Sequence, residues 1–320
     1  FQMAGIFARE RIVPSEKKNS VGANFKMMWR NKPFRQLLIS GILGFPRNIT
    51  LLVAIPMVTY YFASKDPGKV TMYIALIGGG LFIGMFGATG MVPKLLDRFS
   101  KKSLYNFGNL VEILPNLSIF VLFLISTKVQ GGLTNVALLI PVMAMFAIKG
   151  ICLGLFNALQ TTMIADAVDY EDYTHHVRPD GVFFSGQTFT IKIGTGIANA
   201  VYGFICAAVL FSGQNVEALQ DLINHALIPR DLMVKGSTAV VHVMEKTSVS
   251  GELVTASLTA GNLYNFFFAM FFAVSIIPAI GNVLAVIPTW KYALDRETYE
   301  KILVELQERR RTEGKLAEAE

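Results

Sequence analysis

The 320-residue chain is 52% hydrophobic and only 16% charged, with 24 Phe and 13 Met. Soluble chains carry about 25% charged residues, and here the apolar residues come in long blocks rather than stripes or alternations. A soluble two-domain enzyme, a disordered chain and a disulfide scaffold are therefore excluded. The net charge of +6 does not point to nucleic acid, because Lys and Arg collect in short loops between apolar blocks, where they orient a chain in a bilayer.

In chain order, Phe1–Phe7 reads as the last turns of a membrane helix that begins upstream, which makes the chain a fragment of a longer protein. A basic linker follows over 9–33. Six segments then reach the roughly 20 apolar residues needed to cross a hydrocarbon core: 34–62, 72–96, 103–126, 133–163, 182–211 and 260–289. The first contains Pro46 and Pro56, and the second is rich in glycine from Gly78 to Gly90. Membrane helices tolerate such breakers where neighbours satisfy the backbone, and small residues let helices approach closely.

A charged connection is expected over 165–181 and a long polar insertion over 212–258. In the insertion Val216, Leu219, Leu222, Ile223, Ala226 and Leu227 recur at helical spacing, as in a short helix on the membrane surface. In the tail, Asp295 is placed to cap a helix whose apolar face is Tyr299, Ile302, Leu303 and Leu306. Arg309-Arg310-Arg311 would close that helix, either in water or on anionic headgroups. With six spans both ends share one side. That side carries 20 basic residues against 6 on the other, which predicts cytoplasmic ends.

Four charges fall inside apolar spans: Arg47, Glu112, Lys149 and Lys192. Each costs about 2.5–3.5 kcal/mol on insertion scales, so a retained one is paired, faces a wet cavity or reaches the interface. Glu112 and Lys149 fit a structural pair as well as a role in gating or cation coupling, and Arg47, beside Pro46, either lines a cavity or snorkels. Lys192 lies too deep for easy snorkelling. It shares a helical face with Thr188 and Ser185, with Gln187 beside them, a set suited to a polyhydroxylated solute. The alternative is interhelical glue, with Lys192 paired to a neighbouring carboxylate.

Asp166, Asp169, Glu171 and Asp172 crowd one helix end, where they could bind a cation, close a gate with Arg178, or simply be solvated. Cys152 and Cys206 lie in apolar stretches and read as core residues, while His225 and His242 read as isolated loop residues, so no metal site is expected. No nucleophile elbow, zinc-protease, P-loop or dinucleotide motif occurs, so no enzyme is expected.

Ala165-Asp-Ala-Val-Asp-Tyr170, Arg178, Gly181, Phe183-Phe-Ser-Gly-Gln-Thr188 and Lys192 together resemble the signature of the glycoside–pentoside–hexuronide:cation symporters. Arg9-Glu-Arg-Ile-Val-Pro14 resembles the start of that family's central cytoplasmic loop, and Tyr292–Asp295 with Tyr299–Leu306 resembles its tail. Pro93–Arg98 with Lys101-Lys102 is similar to the loop motif of the wider major facilitator superfamily.

The resemblance implies an all-α membrane protein, the C-terminal six-helix bundle of a twelve-span transporter, with a solute site near the midplane between halves. Residues 1–33 would then be the end of a preceding helix and the central loop, 34–289 the bundle and 290–320 a cytoplasmic helical tail. The implied activity is Na⁺- or H⁺-coupled symport of a sugar or glycoside in a bacterial inner membrane, with no cofactor beyond the coupling cation. The implied partners are the bilayer and the N-terminal bundle. It also implies that Lys192 and Thr188 neighbour the sugar and cation sites. A same-fold transporter of a lipid or organic anion, or a non-transporting sensor, remains open on the residues alone.

Overall fold

The computed structural model describes residues 20–63, 66–129, 132–213, 215–216, 240–246 and 253–312, with 240–246 and 253–262 as backbone. Ser20 opens α1 (Val21–Arg30) by accepting from the Ala23 amide at 3.3 Å. Asn31 caps α2 (Lys32–Leu43), accepting from the Phe34 amide at 2.9 Å. Gly44 and Pro46 then break the ladder: a 3₁₀ turn (Phe45–Asn48) leads into α3 (Ile49–Pro56) and a π-helical turn (Met57–Phe62), and the two arms meet at 48°.

Asp66 caps α4 (Pro67–Tyr73), which passes through a second π-helical turn (Ile74–Gly78) into α5 (Gly79–Arg98). Ser100 caps α6 (Lys101–Ser126) and Asn135 caps α7 (Val136–His175). Then come α8 (Asp180–Ala208), α9 (Ala260–Thr289) and α10 (Arg296–Thr312). Among the described residues, five helical runs are long and apolar enough to cross a membrane, and the bent α2–α3 pair makes a sixth when counted as one.

Two expectations need correction. The all-α class does not hold for the insertion: β1 (Val240–Lys246) and β2 (Leu253–Thr259) pair antiparallel, Val240 opposite Thr259, so the chain is not purely α. Val240, Val241, Val243, Val254 and Thr255 are residue types that suit a pleated surface. The surface helix expected from 216 to 227 lies almost wholly outside the described residues. The second correction concerns α7, which runs on to His175, so the acidic stretch expected as a loop is helical. No proline or glycine occurs from 165 to His176, whose left-handed backbone (φ 57°) ends the helix with its amide bonded to Asp172 O.

Two apolar clusters fill the bundle. One gathers Ile49, Val53, Phe123, Phe146, Phe266 and Phe271, with Phe123 and Phe271 stacked at 4.4 Å. The other gathers Phe34, Leu104, Leu159, Phe183, Ile302 and Leu306, with Phe34 stacked on Phe183 at 4.1 Å. Between them along α6 and α7 lie buried polar residues, Asn109, Glu112, Asn116 and Lys149.

The closest helix contact joins α5 to α7. A Cβ on Gly150 would lie 2.0 Å from Leu81 O, one on Gly154 2.2 Å from Met85 O, and one on Gly84 2.4 Å from Ala147 O. Backbone touches backbone here, and no side chain fits between.

Gly150→Ala is therefore expected to cost about 2 kcal/mol or more by overpacking and to lower the melting temperature of the purified protein. Gly87→Ala on α5, with nothing within 4 Å of the added methyl, is expected to be neutral or slightly stabilising in the same melt. At the tail, hydrogen bonds from Thr298 hold the Asp295 carboxyl below its usual range, with the Thr298 amide donating at 2.8 Å. A cap with a lowered pKa acts above the unfolded value of about 3.9 and is lost as pH falls through the folded one. Asp295→Ala should thus speed amide hydrogen exchange at the start of α10 at neutral pH, and the difference should vanish as pH falls through the lowered carboxyl pKa.

Candidate functional site

The expected polar face on α8 is present. Ser185, Thr188 and Lys192 are exposed, and Gly196, Asn199 and Gly203 continue the same stripe at helical spacing. The Thr188 hydroxyl donates to Phe184 O at 3.0 Å and Ser185 to Val182 O at 2.8 Å, which leaves their lone pairs outward. Among the described residues Lys192 has no hydrogen bond and no ion pair, so none of them is a partner that would make it interhelical glue. Gln187 does not join it: the helical turn carries this side chain off the stripe, where it is half-buried.

The opposite face of α8 is anchored by Phe183, Gly186, Thr190, Gly194 and Ala198, all buried. A Cβ on Gly194 would meet Phe45 at 3.2 Å, so the helix rests on the break in the α2–α3 pair.

Arg47, Glu112 and Lys149 lie inside the bundle. Arg47 is buried, donates to Asn109 Oδ1 and stacks its guanidinium 3.8 Å from the centre of the Phe156 ring. Lys149 donates to Val274 O at 2.9 Å and Thr50 Oγ1 at 3.3 Å. The direct Glu112–Lys149 pair is not formed, because the ammonium is already taken by α3 and α9. Glu112 is also buried, and no ion pair joins it to Lys149.

Asn109, Glu112 and Asn116 lie along the buried side of α6, and Ser275, Asn282 and Thr289 recur every seven residues on α9. Sequence reasoning singled out Glu112 but passed over the neutral groups beside it. The signal was present in their spacing, since residues 4, 3 and 7 apart share a face.

The acids at the end of α7 are drawn into ion pairs within the chain. Lys101 Nζ donates to both oxygens of Asp166 at 2.6 and 2.7 Å. Asp169 accepts from Arg178 Nη1 at 2.6 Å and from the Tyr299 hydroxyl at 3.0 Å. Glu171 accepts from Arg30 and, at 3.0 Å, from Asn31 Nδ2. Asp172 accepts from Arg309 and, at 2.7 Å, from Arg310.

Arg309 and Arg310 are thus neither free in water nor left for lipid, contrary to expectation, because Asp172 is within their reach and half-shielded. Burial works against the charge on Arg178, but the hydrogen bond and charge of Asp169, with Asp180 and Asp172, outweigh it and hold the guanidinium above its usual range. Burial, followed by the charges of Asp166 and Asp169, pushes the Tyr299 hydroxyl well above its usual value, so it remains a donor at physiological pH.

The profile of the MFS/sugar transport protein family matches residues 5–227. The isoprimeverose transporter of Lactiplantibacillus pentosus is 26% identical over 226 residues, which cover 69% of this chain and 43% of that one. The glucuronide carrier protein homolog of Escherichia coli K12 is 23% identical over 230 residues, 71% and 47% of the two chains. The inner membrane symporter YicJ of the same strain is 21% identical over 199 residues, 62% and 40% of the two. The chain spans less than half the length of these relatives. A profile match across most of the chain, on a set of apolar helices with the symporter signature on α7 and α8, makes this chain a member of the MFS/sugar transport protein family, a family of transporters and not of enzymes.

Proposed function

We propose that this chain is the C-terminal six-span bundle of a bacterial inner-membrane symporter that moves a sugar or glycoside with Na⁺ or H⁺ by alternating access. In this reading α2–α3 form one bent span, residues 34–289 are the bundle, and both described ends face the cytoplasm, where the basic residues gather. The N-terminal bundle closes the solute site from the opposite side. One observation carries the reading: an otherwise apolar helix, α8, presents an open stripe of Ser185, Thr188, Lys192 and Asn199. Lipid gives no partner to such a stripe, and a wet cavity does.

Lys192 donates to solute hydroxyls and Thr188 accepts from them, while Ser185 widens the polar track. Gln187, being off the stripe, supports the helix from behind. Arg47 acts indirectly, by shaping the break on which α8 rests. Lys149 ties α7 to α3 and α9, and Glu112 sets the charge around it, so both fit a coupling role inside the bundle. The ion pairs of Asp166, Asp169, Glu171 and Asp172 with Arg178 and its neighbours stabilise one gated state. Cation and solute are coupled because both favour the same state.

The ammonium of Lys192, unpaired among the described residues, also favours a solute bearing a carboxylate or sulfonate, an organic anion on the same scaffold. The glucuronide carrier homolog is a relative whose name fits that class. Competition of uptake by a glucuronide against a neutral glycoside separates the two.

Lys192→Ala should lower cation-dependent glycoside uptake by at least about tenfold, the size of a lost hydrogen bond to a charged group, with protein levels in the membrane unchanged. Full uptake would sink the site assignment. For the gate, Asp172→Asn and Arg310→Gln should each change uptake, and the double variant should fall short of the product of the two by about fivefold or more. Independent, multiplying effects would show that the pair does not act as a unit.

A further inference from the structure

α1 carries an apolar stripe that the bundle does not use. Val21 is 87% exposed, Phe25 56% and Trp29 51%, at successive i, i+4 positions on one side of the helix. The other side is engaged: Met27 is buried, Met28 lies where a Cβ on Gly186 would be, and Arg30 and Asn31 hold Glu171. The helix is therefore held in place with its apolar stripe outward.

Basic residues border the stripe. Lys26 and Lys32 are exposed and, among the described residues, have no acidic partner, while Arg35 donates to Trp29 O at 3.2 Å with its guanidinium 5.8 Å from the Trp29 ring. Trp290 lies at the same end of the bundle, where Gln36 Nε2 donates to Pro288 O at 3.0 Å and Lys291 O at 2.9 Å, and is 61% exposed. The chain has two tryptophans, and both stand where spans end.

We propose that α1 is an interfacial helix that binds the anionic lipid of the cytoplasmic leaflet. Val21, Phe25 and Trp29 sink among the headgroups and upper chains, and Lys26, Lys32 and Arg35 meet phosphate and other headgroup anions. Charge complementarity and direct continuity with the α2 span argue for lipid over a protein partner. The inference rests on the membrane topology above and not on the transported solute. Through Arg30 and Glu171 the lipid contact reaches the ion-pair network of α7, so leaflet charge and the gated state share an element.

The test uses the protein with Trp290→Phe, which leaves Trp29 as this chain's tryptophan, in lipid nanodiscs with brominated phosphatidylglycerol or brominated phosphatidylcholine. Lipid bromine should quench Trp29 more than aqueous iodide does, and the anionic lipid should quench more than the zwitterionic one. Lys26→Glu and Lys32→Glu should each reduce that preference by about fivefold while quenching by lipid persists. Quenching by iodide alone would place the stripe in water. No quenching by any of the three would place it under protein, and equal quenching by both lipids would remove the headgroup preference. Each of these overturns the proposal, and none depends on whether the protein takes up sugar.

Discussion

The contact between α5 and α7 fixes what the rest of the bundle can do. Where Gly150 faces Leu81 O and Gly154 faces Met85 O, two backbones approach with no side chain between them, and α7 is held along its middle turns. In hydrocarbon this is the available source of rigidity, since apolar side chains gain little by leaving lipid for protein and close van der Waals packing must supply the difference. A 40-residue helix pinned in this way becomes a beam. Lys149 is carried on its inner part at the level of Arg47 and Asn109, and the four acids are carried on its protruding end.

The two charged regions on that beam differ in how they bear their cost. Inside, Arg47 and Lys149 are met by neutral acceptors, a carbonyl, an amide and a hydroxyl, and by the face of Phe156. Charge there is spread over α3, α6, α7 and α9 rather than cancelled by one partner. At the end, carboxylates meet guanidinium and ammonium groups directly, across stretches of chain as distant as Arg310 and Asp172. A partly buried ion pair trades desolvation against attraction and comes out near balance, so it is suited to being broken and remade at little net cost. The interior bonds, shielded on every side, are not.

Much of this was legible in the sequence, for different reasons in different places. The spans followed from block hydropathy because a bilayer imposes one length on every crossing helix, and the Lys192 stripe followed from helical period. Gln187 was misplaced because adjacency in sequence is not adjacency on a helix. The end of α7 was read as a loop because its carboxylates look like solvent-seeking residues until Lys101, Arg178, Arg309 and Arg310 are seen around them. Arg178, close by in sequence, was among the expected partners, but Lys101, Arg309 and Arg310 share no period with the acids and nothing local announces them. The hairpin at 240–259 was hidden by a competing helical pattern just upstream, and the Glu112–Lys149 pairing failed because neutral acceptors were closer to hand.

The glycine seam between α5 and α7 is lopsided in what it asks of each helix. On α7 it dictates residue type, since a hydrogen alone fits at 150 and 154. On α5 it does so only at Gly84, where an added Cβ would lie 2.4 Å from Ala147 O, while the atoms that obstruct 150 and 154 are the carbonyls of Leu81 and Met85, which any residue supplies. Mutational drift would therefore leave positions 84, 150 and 154 nearly frozen while positions 81 and 85 change their side chains freely, and the tightest contact in the bundle would leave almost no trace of correlated change between its two partners.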